Sequence, residues 1–296
     1  MLAVVAKEGI VTRALGGFFF VVADQETYRC TVRGALKREQ EILVGERVQF
    51  NKTGPQSGII FQVLPRYSQL MRPPVANASK AIAMFAVNRP PPNLFLIDRI
   101  LVQAEAAGVT IVVCLNKNDL IQRPGEDQEL LAPYRRAGYS VYSVSSKTGA
   151  NIECLQQEFR DCITVLAGQS GVGKSSVLNA LEPGLKLATG KISVRSRRGR
   201  HTTRQVELLP LSIGGWVIDT PGFSTVDLPN VEPEELVYLF PELGAIAPNC
   251  RFADCRHKTE PGCAIRAAVT AGKIIPARFE SYLAMVRELR ELRRKW

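Results

Sequence analysis

The segment Gly168-Gln169-Ser170-Gly171-Val172-Gly173-Lys174-Ser175 limits what this chain can fold into more than any other. It fits GxxxxGK[ST], follows the apolar run Ile163 to Ala167 and opens a helix-like stretch from Ser176 to Leu181. That context demands a strand, a phosphate-wrapping loop and a helix in immediate succession. The glycines let backbone N–H groups approach phosphate oxygens, and the helix N-terminus adds its positive dipole end. Lys174 is placed to reach β and γ oxygens and Ser175 to ligate Mg²⁺, with Ser176 beside it. A chance match in a Gly-containing turn would lack the strand before and the helix after. Asp219-Thr220-Pro221-Gly222 follows the apolar Trp216 to Ile218, 51 residues beyond Gly168. There Asp219 can hold Mg²⁺ through water while the Gly222 N–H senses a γ-phosphate; without the first segment, these four residues would read as a plain turn.

Asn116-Lys117-Asn118-Asp119 has the NKxD pattern of guanine recognition. A carboxylate at Asp119 accepts from both N1–H and the exocyclic amine of guanine, a pattern adenine does not offer. GTP is therefore the expected nucleotide. Ser145-Ser146-Lys147, 29 residues later and again directly after an apolar run, resembles the SAK element that completes a base pocket, with Ser in place of the usual Ala. The usual order puts the phosphate loop first, whereas here Asn116 precedes Gly168 by 52 residues. Spacing within each half is ordinary, so circular permutation of one sheet explains the order, and the chain is too short for a decayed pair of such domains.

Around this unit the pattern changes twice. Gly9 to Leu15, Gly17 to Val22, Tyr28 to Val32, Arg47 to Asn51 and Gly58 to Val63 are short β-like runs broken by Gly and Asp. They predict a small five-stranded barrel, OB-like by preference, with an SH3-like barrel as the alternative. Pro65, Pro73 and Pro74 with polar residues between them mark a linker. Beyond it, β-like runs alternate with helix-like stretches at 94–107, 126–137, 152–159 and 174–181, the signature of a parallel sheet covered on both faces. The fold class expected is multidomain α/β: barrel 1–68, permuted P-loop nucleotide domain 69–228, and a small α-helical zinc domain 229–296.

The last part rests on Cys250, Cys255, His257 and Cys263, three thiols and an imidazole within 14 residues. Cys₃His suits tetrahedral Zn²⁺, and four protein ligands leave no open position, so the metal is expected to be structural. A reduced cluster or a disulfide pair is the alternative. The tail 276–296 sets Phe279, Leu283, Val286 and then Leu289 or Arg290 at helical spacing, with Arg287, Arg290, Arg293, Arg294 and Lys295 on other positions, which predicts one packing face and one cationic face.

Net charge of +10 and a pI near 9.4 favour a polyanionic partner, though a merely basic enzyme would share them. The longest apolar stretches fall far short of a bilayer span, and Lys7 and Glu8 interrupt the apolar start that a secretory signal would need. The expectation is a cytoplasmic monomer with no membrane partner.

The motif order, the barrel in front and the Cys/His cluster behind together resemble the ribosome small-subunit-dependent GTPase A family, RsgA, also called YjeQ. So do Arg33-Gly34, Leu70-Met71-Arg72-Pro73, Ala76-Asn77, Asp98-Arg99 and Gly199-Arg200-His201-Thr202-Thr203. The resemblance implies GTP hydrolysis to GDP in late maturation of the small (30S) ribosomal subunit, with 16S rRNA contacts. It also implies that residues 199–203 form the first switch, so that Thr202 or Thr203 is the second Mg²⁺ ligand. Many GTPases place a water-orienting Gln after the glycine of this Asp-x-x-Gly turn; Phe223 stands there instead, so hydrolysis is expected to be slow without the subunit. His201 is then a candidate to position water, beside Lys174 and Gly222. A GTP-binding RNA scaffold without turnover and a small zinc DNA-binding regulator are the rival classes; intact Lys174, Ser175 and Asp219 disfavour the first, and the lack of a DNA-reading module around Cys250 disfavours the second.

Overall fold

A computed structural model describes residues 6–34, 41–71, 73–187, 206–218 and 227–294. Five strands, Ala6–Leu15 (β1), Phe18–Ala23 (β2), Glu26–Val32 (β3), Arg47–Gly54 (β4) and Ser57–Val63 (β5), close a barrel in the order β1-β2-β3-β5-β4. β4 returns to β1 antiparallel and β3 runs parallel to β5, an OB-like closure that leaves no free edge. Alternation in the sequence drives it. In β3, Tyr28 and Cys30 point inward while Arg29 and Thr31 are exposed, and Val11, Val21, Val48, Phe50 and Ile60 fill the interior around them.

The Pro-rich segment expected as a linker is instead packed. Gln69–Met71 (β6) and Pro74–Ala76 (β7) form a hairpin whose Leu70 and Val75 are buried in the core under the nucleotide sheet. Asn77 fastens it to the barrel. Its Nδ2 donates to the Gly45 carbonyl at 3.0 Å, its Oδ1 accepts from Tyr67 N at 3.0 Å, and Ala76 N donates to the Val44 carbonyl at 2.9 Å. Burying the two apolar residues outweighs the local preference of the prolines for an open connection.

The second sheet contains Lys80–Ala86 (β8), Thr110–Asn116 (β9), Ser140–Ser143 (β10), Ile163–Gly168 (β11), Leu208–Pro210 (β12) and Trp216–Ile218 (β13). Their order is β10-β9-β8-β11-β13-β12, parallel except for β12. Leu94–Ala106 (α1) and Glu126–Arg136 (α2) cover one face, where Ala81, Ala83 and Phe85 of β8 point. Ile152–Gln156 (α3) and Lys174–Leu181 (α4) cover the other, where Ile82, Met84 and Ala86 point. A strand apolar on every residue is what a sheet buried on both faces requires. Parallel crossovers run from β8 outward to β9 and β10 on one side and from β11 outward to β13 on the other, which puts a topological switch point between these two central strands; ligands of such sheets bind outside the carboxyl ends of the strands there.

A short 3₁₀ turn Leu236–Leu239, then Pro241–Gly244 (α5), Ala264–Thr270 (α6) and Pro276–Arg294 (α7), form the C-terminal module around Phe240, Ile265, Tyr282, Met285 and Val286. The stripe that α7 buries is Arg278, Ser281, Tyr282, Met285, Val286 and Leu289, so its phase differs from the expected one: Phe279 and Leu283 lie on its flank. The cationic face is also partly neutralised within the chain, Arg290 pairing with Glu234 at 3.2 Å and Arg293 with Glu232. Among the described residues no helix is long and apolar enough to cross a membrane.

Candidate functional site

Residues 168–175 run from the end of β11 into α4 at the switch point. Gly168 has φ of 148°, and a Cβ there would sit 2.1 Å from the Met84 carbonyl, so only glycine lets the loop leave β11 against β8. Gly173, φ 98°, precedes α4, and a Cβ on it would meet Asn116 Nδ2 at 2.3 Å. Lys174 is buried, its ammonium donating to the carbonyls of Gly168 at 2.8 Å and Gln169 at 3.1 Å, which holds the charge across the loop mouth. Ser175 and Ser176 follow in the first turn of α4, half-buried, while Ser170 and Gly171 are exposed.

The fully buried Asn116 joins this loop to the next. Its Nδ2 donates to the Val172 carbonyl at 2.9 Å and to Ser146 Oγ at 3.3 Å, and its Oδ1 accepts from Ser146 N at 3.1 Å. Lys117, in the left-handed region at φ 63°, spans the other side: its ammonium donates to the Gly171 carbonyl at 2.7 Å and to the Arg89 carbonyl. Burial draws its pKa below the usual lysine value, the nearby Asp119 opposing this. Asn118 braces the turn through Nδ2 to the Ser143 carbonyl at 3.2 Å. Asp119 Oδ1 accepts from Ser145 Oγ at 2.6 Å, and Lys147 Nζ lies 3.9 Å from Oδ2. Ser145 Oγ in turn accepts from the backbone N–H of Lys147 at 3.3 Å and of Thr148 at 3.2 Å, so the hydroxyl orients its proton toward the carboxylate.

The two halves separated by 52 residues in the chain are thus stitched together by side chains. Sequence reasoning missed the third participant, the loop ahead of α1. Arg89 supplies a carbonyl to Lys117, and Pro90 Cδ lies 3.7 Å from a Cβ built on Gly171. No side-chain pattern announces it, because the contact is made by a backbone oxygen. His201, Thr202, Thr203, Asp219 and Gly222, to which the sequence assigns roles, lie outside the described residues, as does Phe223.

At the far end of the chain, ligand atoms of Cys250, Cys255, His257 and Cys263 all lie within 4.8 Å of one another. His257 Nδ1 is 3.6 Å from the sulfurs of both Cys250 and Cys263. Ligands of a tetrahedral zinc with sulfur at about 2.3 Å stand roughly 3.8 Å apart, so the donor set fits a Cys₃His ion. Burial lowers the pKa of His257, and burial together with the neighbouring thiols pushes the Cys255 thiol up to about 12. A divalent cation reverses that penalty on the thiolate. Cys263 also caps α6, its sulfur accepting from Arg266 N at 3.5 Å.

A P-loop, an NKxD turn and a serine-lysine turn gathered at one switch point in inverted chain order define a circularly permuted P-loop GTPase. Comparison with known proteins narrows the class. The family model described as RsgA GTPase matches residues 63–229 and that of the RsgA N-terminal domain residues 8–60. The small ribosomal subunit biogenesis GTPase RsgA of Moorella thermoacetica is 43% identical over 283 residues, covering 95% of this chain and 97% of that one. Its counterpart from Geobacillus thermodenitrificans is 43% identical over 289 residues, 96% of this chain and 98% of its own. Among solved structures, YjeQ from Thermotoga maritima superposes with a TM-score of 0.84 at 36% identity, over 96% of this chain and 99% of that one. YloQ, described as a circularly permuted GTPase, superposes with 0.81 at 34% identity, over 97% and 96%. The chain belongs to the RsgA GTPase family.

Proposed function

We propose that this protein hydrolyses GTP to GDP and phosphate while bound to the small (30S) ribosomal subunit, contacting 16S rRNA and acting in late maturation of that particle. The observation that carries the reading is the Asn116 bridge to Val172 and Ser146, which puts a guanine-reading turn and a phosphate-binding loop within reach of one nucleotide. In this reading Asp119 takes the guanine edge, Lys117 and the Ser145–Lys147 turn wall the base, residues 168–176 wrap the phosphates, and Lys174 neutralises developing charge on the γ-phosphate. Ser175, Asp219 through water, and Thr202 or Thr203 would hold Mg²⁺, which would supply positive charge to the β- and γ-phosphates. Gly222 N–H senses the γ-phosphate and His201 positions water.

We read the chain as three working units, 1–68, 69–228 and 229–296, acting in the cytoplasm as a monomer, with Zn²⁺ held structurally by Cys250, Cys255, His257 and Cys263. The names of the relatives support the ribosomal assignment, and the net charge of +10 supports an RNA partner. The deciding experiment is steady-state GTP turnover with and without purified small subunits. Slow turnover alone and a rise of tenfold or more with subunits is expected; equal rates would refute the coupling.

A further inference from the structure

Helix α1 is buried on two sides. Toward the sheet, Ile97, Ile100, Leu101 and Ala104 pack into the core beside β8, while Val102 enters the core of the C-terminal module with Leu236, Phe240 and Met285. Its first turn starts at the nucleotide pocket: Asn93 Oδ1 caps it, accepting from Leu96 N at 3.0 Å, and just ahead lie Arg89, whose carbonyl accepts from Lys117, and Pro90, whose Cδ would be 3.7 Å from a Cβ on Gly171. The loop that helps wall the nucleotide therefore continues without a break into this helix.

Charged groups pin the second turn of α1 to α7. Asp98 accepts from Arg278 Nη1 at 2.6 Å, and Arg278 also donates to Glu242 from Nε at 2.7 Å and from Nη2 at 3.2 Å. Asp98 and Arg278 are each 2% exposed. Arg99 forms a two-pronged contact with Glu288, one prong at 3.0 Å. Separating the buried pair would leave both charges without water, so α1 and α7 are expected to move together rather than slide. Apolar packing alone needs no such pairing, and Asp98-Arg99 is a motif that nucleotide chemistry leaves without a task.

We propose that α1 is a tie rod between the nucleotide pocket and the Cys₃His module, with Asp98, Arg99, Arg278 and Glu288 as positioning residues. This rests on the nucleotide site described above and adds a route to it. A nucleotide that orders Lys117, Gly171 and Arg89 sets the start of α1; α1 sets α7; α7 carries the metal-bearing module. The coupling is reciprocal, so tightening α7 on α1 raises nucleotide affinity by the same factor.

The test is hydrogen exchange on the zinc-loaded full chain, with and without saturating GDP or a non-hydrolysable GTP analogue, for the parent protein, Glu288→Ala and Arg278→Lys. Glu288 is 38% exposed on its side chain, so its removal spares the core even where Arg278→Lys unsettles it. In the parent, nucleotide should protect both the 168–176 loop and residues 276–289. In the variants, protection of the loop should persist, the α7 response should fall by at least half, and nucleotide affinity should drop about fivefold, the low end of coupling between sites. Loop protection without any α7 response in the parent, or an undiminished response in Glu288→Ala, overturns the tie rod alone. Absence of loop protection in the parent overturns the nucleotide site and the tie rod with it.

Discussion

Replacing Asn116 tests whether the two motif halves act as one site. The side chain is 0% exposed and makes three hydrogen bonds, to the Val172 carbonyl, Ser146 Oγ and Ser146 N. Asn116→Ala leaves a buried carbonyl and a half-buried N–H without their partner, the first costing about 1–3 kcal/mol and the second less, so a stability loss of about 2–4 kcal/mol is expected. Part of this falls on the arrangement of the loop that nucleotide needs. If half does, GDP affinity drops about tenfold or more, since about 1.4 kcal/mol is a factor of ten. Asn116→Asp sharpens the case: it retains an acceptor for Ser146 N but turns a carboxylate oxygen toward the Val172 carbonyl at 2.9 Å, so it should bind GDP more weakly than Ala despite its closer shape. Urea unfolding gives the stability and titration with a fluorescent guanine nucleotide the affinity. GDP binding by Asn116→Asp equal to that of the parent would refute the claim that this residue holds the loops together.

Asp119→Asn should lower GTP affinity and raise that for xanthosine triphosphate, whose 2-oxo group calls for a donor; competition binding with both nucleotides reads the switch. Cys255→Ala should reduce bound zinc well below one equivalent and speed proteolysis after residue 227 while GDP binding survives, as metal analysis and limited digestion would show. Gly173→Ala places a Cβ 2.3 Å from Asn116 Nδ2 at a φ of 98°, so it should abolish nucleotide binding with only a moderate loss of stability. His201→Ala should lower subunit-stimulated turnover by about tenfold or more without changing GDP affinity, because its imidazole is read as positioning the attacking water; full stimulated activity would remove His201 from the mechanism.

The barrel strands and five strands of the second sheet were legible because their residues face a decided environment, whereas β12, Leu208–Pro210, is too short to show a pattern. β8 is apolar at nearly every position since it is covered by α1 and α2 on one side and by α3 and α4 on the other, and β3 alternates since one of its faces is wet. The hairpin at 69–76 was hidden because its burial rests on Leu70 and Val75, too few apolar residues to show a period beside three prolines. The phase of α7 was misread for a different reason. Arg278 and Ser281 occupy its core stripe, and they are stable there only because Asp98, 180 residues away in the chain, and Glu242 meet them. A polar residue looks exposed in sequence until its partner is known. The same holds at the pocket, where the side chains Asn116, Asp119, Ser145 and Lys174 follow motif patterns but the Arg89 carbonyl does not.

Permutation leaves the contacts of the pocket indifferent to chain order but decides what hangs from its edges. With β8 first in the sheet, the chain enters at the strand end opposite the nucleotide, through Asn77 and a hairpin hydrogen-bonded to the barrel. The barrel makes a second attachment. Arg13 of β1 bridges to Glu207, one residue before β12, with its guanidinium 3.7 Å from that carboxylate and stacked 4.0 Å from the Phe20 ring. Two attachments fix the orientation of a body where one linker would leave it free. At the other edge, Gln103 of α1 donates to the Asp227 carbonyl, so the chain that departs after β13 meets the same helix that starts at the nucleotide pocket and is clasped by α7. An unpermuted order would put chain ends elsewhere and break this enclosure. The permuted order hangs the barrel from the 69–77 segment and from Glu207, and the metal-bearing module from α1, so each is held by contacts and not by a tether alone.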